Sequence, residues 1–482
     1  MKFDDFNKLK KILIGYEKDI RNDPVFISCN FANIVKDHPQ YIKTKIDILK
    51  KNFFQYLVYF TYEVLKLIYD FIYNSIPHKS LINKSNNNVV FISHLTNSNP
   101  IGYEDNYYGK IKNFFSKKKV ITYYINHTKK KINSKLLGKK NYLNTKINLG
   151  FKNELKILKM QISLFFRILK SKNKHSKRIK KILLFEILKV DTKNNLRIYY
   201  HLNEIIEKCN IEYLISTCEG FPHEKMIFRS CLEKNIFSVA FQNIPLINKQ
   251  ILINKNLKNY LPKVIWSSDK ISEIKLRDYY KKKIKIINIG SPRVFQKKIT
   301  TNFDIDKTIT CLVVPEGFIS ETYEMFLLIK KFIIKNKNKN KKIKFIFRIH
   351  PNLKNNELYG FIKTYSKKNI QFEFSSKDMF YDIKKSNIVI YRGSSAVINC
   401  VRYGLIPIYF ANKEKIVISP IGFNKYSSHV VYNINDLSKY LNNLTLMKRL
   451  LKDKQNMINF FKKKYTYINT DLLKNINKIL SN

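Results

Sequence analysis

The chain has 482 residues and carries 90 Lys and Arg against 36 Asp and Glu, a formal net charge of +54. Its length allows two or three domains, and 44 % hydrophobic residues exclude global disorder. The charge suggests nucleic acid, but lysine is spread through nearly every loop and helix with no DNA- or RNA-binding motif, so a solvated basic surface is the plain reading and an anionic membrane face the next.

The six cysteines form no CxxC pair, which argues against a disulfide framework and a metal cluster and fits a reducing compartment. The first residues, MKFDDFNKLKK, lack the apolar core of a signal peptide. No stretch of about 20 uncharged apolar residues predicts a membrane span. A cytoplasmic protein, at most peripheral on the inner face of the membrane, is expected.

Residues 46–76 give the most apolar helical pattern, interrupted by Glu63, Lys66 and Asp70. A buried or domain-packing helix is the favoured reading, and an interfacial helix on a membrane the alternative. The run Val89–Leu95 predicts a buried strand, followed by Tyr107-Tyr108-Gly109 and a strand over 120–125. Residues 151–190 are basic and helical, a solvated amphipathic surface or one that docks on anionic head groups. The β/α pattern resumes with a strand over 213–217, the turn Cys218-Glu219-Gly220-Phe221-Pro222-His223-Glu224, a helix, and strands over 237–241, 264–266 and 284–289. Gly290-Ser291-Pro292-Arg293 marks a domain boundary.

A second unit opens with a strand over 309–314 that ends in Pro315-Glu316-Gly317. A Lys/Asn-rich loop over 335–341 precedes the strand 345–349, which ends in His350-Pro351. The strand 388–391 ends in Arg392-Gly393-Ser394-Ser395 and runs into a helix, and a strand over 405–410 follows. Short apolar runs alternating with helices predict parallel sheets, whose ligands lie beyond the carboxyl ends of the strands. Residues 436–480 are helical and basic, a tail expected to pack back across both domains. The expected division is a helical segment over 1–85, Rossmann-like domains over 86–289 and 290–445, and a helical tail over 446–482.

Each polar cluster has a chemical reading and a plainer one. Ser394 and Ser395 offer hydroxyl donors beside Gly393, where the backbone can approach a phosphate at a helix start; the plainer reading is that Ser394 only caps the helix. His350 can donate a hydrogen bond to a leaving phosphate or protonate it, with Pro351 holding the turn open. Arg348, Arg392 and Gly317 complete the candidate donor site. Glu219 and Glu316 each follow a strand, where a carboxylate can deprotonate an acceptor hydroxyl or merely face a helix dipole. His223 and Glu224 are further acceptor-side candidates. Asp304-Ile305-Asp306 matches a DxD pattern, but three-residue matches are frequent by chance, and no metal or other cofactor is expected.

Two Rossmann-like domains, an acidic-Gly turn, an HP turn and an SS turn together resemble GT-B glycosyltransferases. The likeness extends to bacterial sialyltransferases and polysialyltransferases and to surface-carbohydrate (O-antigen and capsule) biosynthesis proteins. The sialyltransferase motif carries two acidic residues before its glycine, and each candidate here carries one. Asn106-Tyr107-Tyr108-Gly109 and Thr217-Cys218-Glu219-Gly220 are similar to N-terminal signatures of the surface-carbohydrate group, which puts Tyr108 on the acceptor side. The resemblance implies an α/β GT-B fold with a cleft between the domains and extra N- and C-terminal helices. It implies a metal-independent, inverting transfer from a nucleotide-sugar donor, of the CMP-nonulosonic acid or Kdo type, to a glycan or glycolipid acceptor. Glu219, in the acceptor domain, would be the base in preference to Glu316, which would orient the donor or start its helix, and His350, Ser394 and Ser395 would contact the donor phosphate. A teichoic-acid-type glycerophosphotransferase, or a basic nucleic-acid-binding protein without catalysis, are the alternatives.

Overall fold

The computed structural model describes residues 18–29, 53–76, 85–95, 107–115, 118–126, 142–143, 148–171, 177–245, 253–296, 308–336, 343–353, 356–412, 415 and 417–474. Asp304, Asp306 and Asn106 lie outside these residues.

Two parallel sheets carry the structure. The first holds β1 (Ser85–Leu95), β2 (Lys119–Asn126), β3 (Tyr142–Leu143), β4 (Cys209–Thr217), β5 (Phe237–Gln242), β6 (Val264–Ser267) and β7 (Lys285–Asn288). The second holds β8 (Ile309–Val314), β9 (Ile343–Phe347), β10 (Phe372–Phe374), β11 (Ile388–Tyr391), β12 (Ile406–Phe410) and β13 (Val430–Val431). Their orders are β3-β2-β1-β4-β5-β6-β7 and β10-β9-β8-β11-β12-β13. Each chain path winds outward, returns beside its first strand, and winds out the other way. That is the doubly wound Rossmann order, with its crevice between β1 and β4 in one sheet and between β8 and β11 in the other. The central strands are unbroken apolar runs because both sheet faces are covered: Val89, Val90, Phe91 and Ile92 are fully buried, and so are Val389, Ile390 and Tyr391. The architecture is the expected GT-B type.

In the second domain the covering helices bury apolar stripes in the ordinary way. The helix Ile319–Lys335 turns Met325, Phe326, Ile329, Phe332 and Ile333 onto the sheet at helical spacing. The first domain is different. The helix Phe53–Asn74 packs by one side only, against helices Phe151–Lys170, Lys177–Leu188 and Val190–Lys208. Its other side is exposed, so the expectation of a buried or domain-packing helix holds for half of its circumference.

The end of the chain ties the domains together. Phe461 and Tyr465 belong to the core of the second domain, whereas Ile468 and Leu473 lie in the core of the first. Between them, Thr466 accepts a bond from the Ser291 N–H (3.1 Å) and the Asn469 N–H donates to Ile289 (2.8 Å). The tail crosses so close that a Cβ on Gly290 would lie 2.3 Å from the Tyr467 carbonyl oxygen, and Gly290 also has φ +81°. Only glycine satisfies both conditions without strain.

Candidate active site

The carboxyl ends of β9, β8 and β11, three neighbours in the second sheet, bring together the His350, Glu316 and Arg392–Ser395 turns. A cavity of about 270 Å³ opens in front of them. His350, Pro351, Ser394 and Ser395 line it from the second domain, Asn243 and Ser268 from the first, Ser291 and Arg293 from the connection, and Tyr465 from the tail. The cavity is therefore interdomain.

The serine turn is held by packing rather than by capping. The helix Val397–Arg402 is only six residues long, and its N-cap is Ala396, with no side-chain capping bond. Ser394 thus does not cap it, and both serines line the cavity. Glu316 is 6 % exposed and lies beneath this turn. A Cβ added to Gly393 would fall 1.7 Å from Glu316 Oε1, so glycine is required for the carboxylate to lie against that backbone. Gly317 makes room in the same sense for His350, whose Nδ1 would be 3.0 Å from an added Cβ. Burial, followed by the positive charge of Arg293, holds the His350 pKa below its usual 6.5. The imidazole is therefore neutral near pH 7, able to donate one hydrogen bond and accept another.

Two arginines chosen from the sequence point elsewhere. The Arg392 guanidinium is buried and ion-paired with Glu321 (2.9 Å), which makes it part of the domain interior rather than of the cavity wall. Arg348 reaches the cavity wall, but its Nη1 donates to Asp382 (2.7 Å), Ser375 (3.2 Å) and the Lys377 carbonyl (2.7 Å). Arg293, read from the sequence only as part of a boundary, is a further cation on the cavity wall. Its guanidinium lies 5.1 Å from the Tyr107 ring, and its backbone is fixed by Asn399, which donates to the Arg293 carbonyl (2.9 Å). An arginine next to a Gly-Ser-Pro connection was the available signal.

On the first domain, the end of β4 separates its acids. Glu224 is fully buried and accepts from the Thr217 hydroxyl (2.9 Å) and from the N–H groups of Glu219 (3.0 Å) and Phe221 (2.7 Å). From the third position of the helix Pro222–Glu233 it reaches back to the N–H of the N-cap residue Phe221, satisfying one of the free donors at the helix start. Glu219 is half-buried, and its Oε1 has no hydrogen-bond partner among the described residues. Tyr108 is not at the cleft: it is 0 % exposed, with its hydroxyl donating to the Ile92 carbonyl (2.7 Å). Its neighbour Tyr107 is the residue that meets Arg293.

Sequence reading also passed over His94, at the end of β1. Its Nε2 lies 2.6 Å from the Thr217 hydroxyl. That hydroxyl gives its single proton to the Glu224 carboxylate, so His94 Nε2 must be the donor. The ring makes tilted contacts with Tyr107 and Phe221 and an edge contact with His223. His94, His223 and Glu224 bring metal-ligand-type atoms within 4.8 Å of one another. Glu224 already serves three donors there, and Thr217 stands between it and His94. The trio is knitted as a hydrogen-bond network.

No family model matches the chain, and no curated protein matches it. Solved structures give partial likenesses. The glycotransferase of kitacinnamycin is 8 % identical, over 82 % of this chain and 98 % of that one, with a TM-score of 0.46. UDP-GlcNAc 2-epimerase from Methanocaldococcus jannaschii is 9 % identical, over 82 % and 99 %, at 0.45. MurG from Acinetobacter baumannii is 10 % identical, over 81 % and 99 %, at 0.44. Likeness this weak carries nothing about substrate or reaction.

Proposed function

We propose that the chain is a glycosyltransferase that moves a sugar from a nucleotide-activated donor to a glycan or glycolipid acceptor of a cell-surface polymer. The observation that carries this reading is the convergence of His350, Ser394, Ser395 and Arg293 on one interdomain cavity. Two hydroxyls, an imidazole and a guanidinium form a donor-rich, positive recess suited to a phosphate. A Rossmann sheet places such a recess beyond its first and fourth strands, where nucleotides bind.

In this reading the donor phosphate lies against His350, Ser394 and Ser395, with Arg293 balancing its charge. Glu219 takes the proton from the acceptor hydroxyl as that oxygen attacks the anomeric carbon. The bond from that carbon to the phosphate oxygen breaks, and the nucleotide leaves with the electron pair. His350 stabilises the leaving oxygen by a hydrogen bond. Direct displacement inverts the anomeric centre. A CMP-linked nonulosonic acid or Kdo-type sugar is the donor proposed, and charge balance by Arg293 together with the His350 hydrogen bond lets the proposed transfer run without a metal. The inner face of the membrane is the proposed place of work, where glycolipid acceptors are presented.

The test is His350→Ala, assayed for transfer against a panel of CMP-, UDP- and GDP-sugars, with thermal shifts to read nucleotide binding. Loss of a general acid or an equivalent donor lowers a rate by about 10²–10⁴-fold. A folded variant with unchanged turnover would remove His350 from the mechanism. A wild-type protein stabilised by no nucleotide would remove the enzyme reading itself.

A further inference from the structure

The helix Phe53–Asn74 is amphipathic the wrong way round for a protein in water. Its polar side faces the protein: Glu63 and Asn74 are buried, and Asp70 pairs with Arg197 (2.6 Å) and Lys193 (3.2 Å). Those two cations are fully buried and also bind Glu154 of the neighbouring helix Phe151–Lys170, each at 2.8 Å. A closed set of two cations and two acids thus anchors the helix from beneath. Its outward side is apolar. Phe54, Val58, Leu65, Tyr69 and Ile72, spaced to fall on one face, are 54–72 % exposed. The helix 151–170 lies antiparallel beside it, with Phe71 against Phe151 and Phe60 against Phe165. It extends the same surface with Ile162, Phe166 and Leu169, 42–51 % exposed.

Charge distinguishes the occupants of this face. The two helices contain three acidic residues, Glu63, Asp70 and Glu154, and all three are turned inward. Their exposed charges are all positive: Lys66, Lys152, Lys156, Lys159 and Lys170. On the helix 151–170 the lysines follow one edge of the apolar strip, about a quarter-turn away from Ile162 and Leu169. A second copy would bring two lysine-bearing surfaces together whose acids are all turned inward, so that neither offers the other an opposite charge, which disfavours that occupant. A bilayer with anionic lipid satisfies both parts at once, with acyl chains for the strip and head-group phosphates for the rim. No described helix is long and apolar enough to cross a membrane.

We infer that the paired helices 53–74 and 151–170 form a docking face that lies in the plane of an anionic bilayer, apolar strip down, with the lysine rim at the head groups. This stands on the surface alone and is independent of the reaction assigned to the cleft. Apolar burial supplies more of the binding than lysine attraction does, because each buried large side chain outweighs one lysine near a charged surface.

Sedimentation of the full chain with phosphatidylcholine vesicles, with and without phosphatidylglycerol, tests it. The protein should bind vesicles that contain phosphatidylglycerol and stay bound at about 1 M salt, where the Debye length is about 3 Å. Leu65→Glu with Ile72→Glu should weaken binding about tenfold or more, while thermal stability stays within a few degrees because both side chains are exposed. Lys152→Glu with Lys159→Glu should abolish the preference for phosphatidylglycerol while leaving residual binding. The inference is overturned if the wild type ignores both vesicles, if about 1 M salt releases it completely, or if the Leu65→Glu, Ile72→Glu variant binds like the wild type. It is equally overturned if that variant changes only the oligomeric state, which would give the face to a second copy.

Discussion

The two acidic-Gly turns are local twins with opposite fates. Each places its glutamate two residues after a strand, Glu219 after β4 and Glu316 after β8, and each is followed by glycine. In the first domain Glu224 takes up the backbone N–H groups of the turn, and Glu219 keeps a carboxylate oxygen without a bonding partner among the described residues. In the second, Glu316 itself lies under the neighbouring turn, against Gly393. An acid at a strand end is a general base only if nothing nearby claims it, and here the neighbours decide. Glu219 is thereby the better candidate for the base, and Glu316 for a support of the serine turn proposed to hold the donor.

The comparison breaks most visibly on Glu219→Gln. The change keeps shape and removes basicity, so transfer should fall about 10²–10⁴-fold while nucleotide thermal shifts persist. Glu316→Gln should act mainly on donor affinity, read as a raised donor KM. The reverse pattern, with Glu316→Gln binding donor normally but not turning over, would move the base to the second domain. Next in size is Gly393→Ala, which forces a methyl into the Glu316 carboxylate. Overpacking of this kind costs about 1–3 kcal/mol, and the displaced serine turn should lose nucleotide binding in a calorimetric titration. If the variant binds nucleotide with wild-type affinity, the support role of Glu316 fails.

The smallest effect is in pH. Burial and Arg293 hold the His350 pKa below 6.5, so the unfolded chain binds more protons here than the folded one. The contribution of this group is complete above pH 6.5 and is lost as pH falls below it toward the folded pKa. His429 is lowered in the same direction by burial and by Arg449, so it adds to the same slope. Chemical denaturation across that window should show stability falling with acid, and His350→Asn should make the fall shallower. An unchanged slope would mean that Arg293 and burial do not act on His350 as the geometry implies.

The sequence determined the strands and the turns that end them. Runs such as Val389-Ile390-Tyr391 have no polar face to offer and must be covered on both sides, and a strand ends where Arg392-Gly393-Ser394 can no longer be buried as a run. From that followed the order of elements, the two Rossmann-like units, and the positions of His350, Ser394, Ser395 and Glu219 at strand ends. What only the tertiary structure decided is the direction and partner of each side chain. Arg392 and Arg293 look equally suitable in sequence, but Glu321 draws the first inward and Tyr107 meets the second at the cleft. Tyr107 and Tyr108 are adjacent and touch the same core, but only the second is fully enclosed by it. The helix Phe53–Asn74 shows the limit most plainly. An apolar stripe with three charges reads as a core helix until Lys193 and Arg197, more than 100 residues away in the chain, are found binding its acid from below. Periodicity is local and survives in the sequence. Which face of the period is inside depends on partners that only folding brings near.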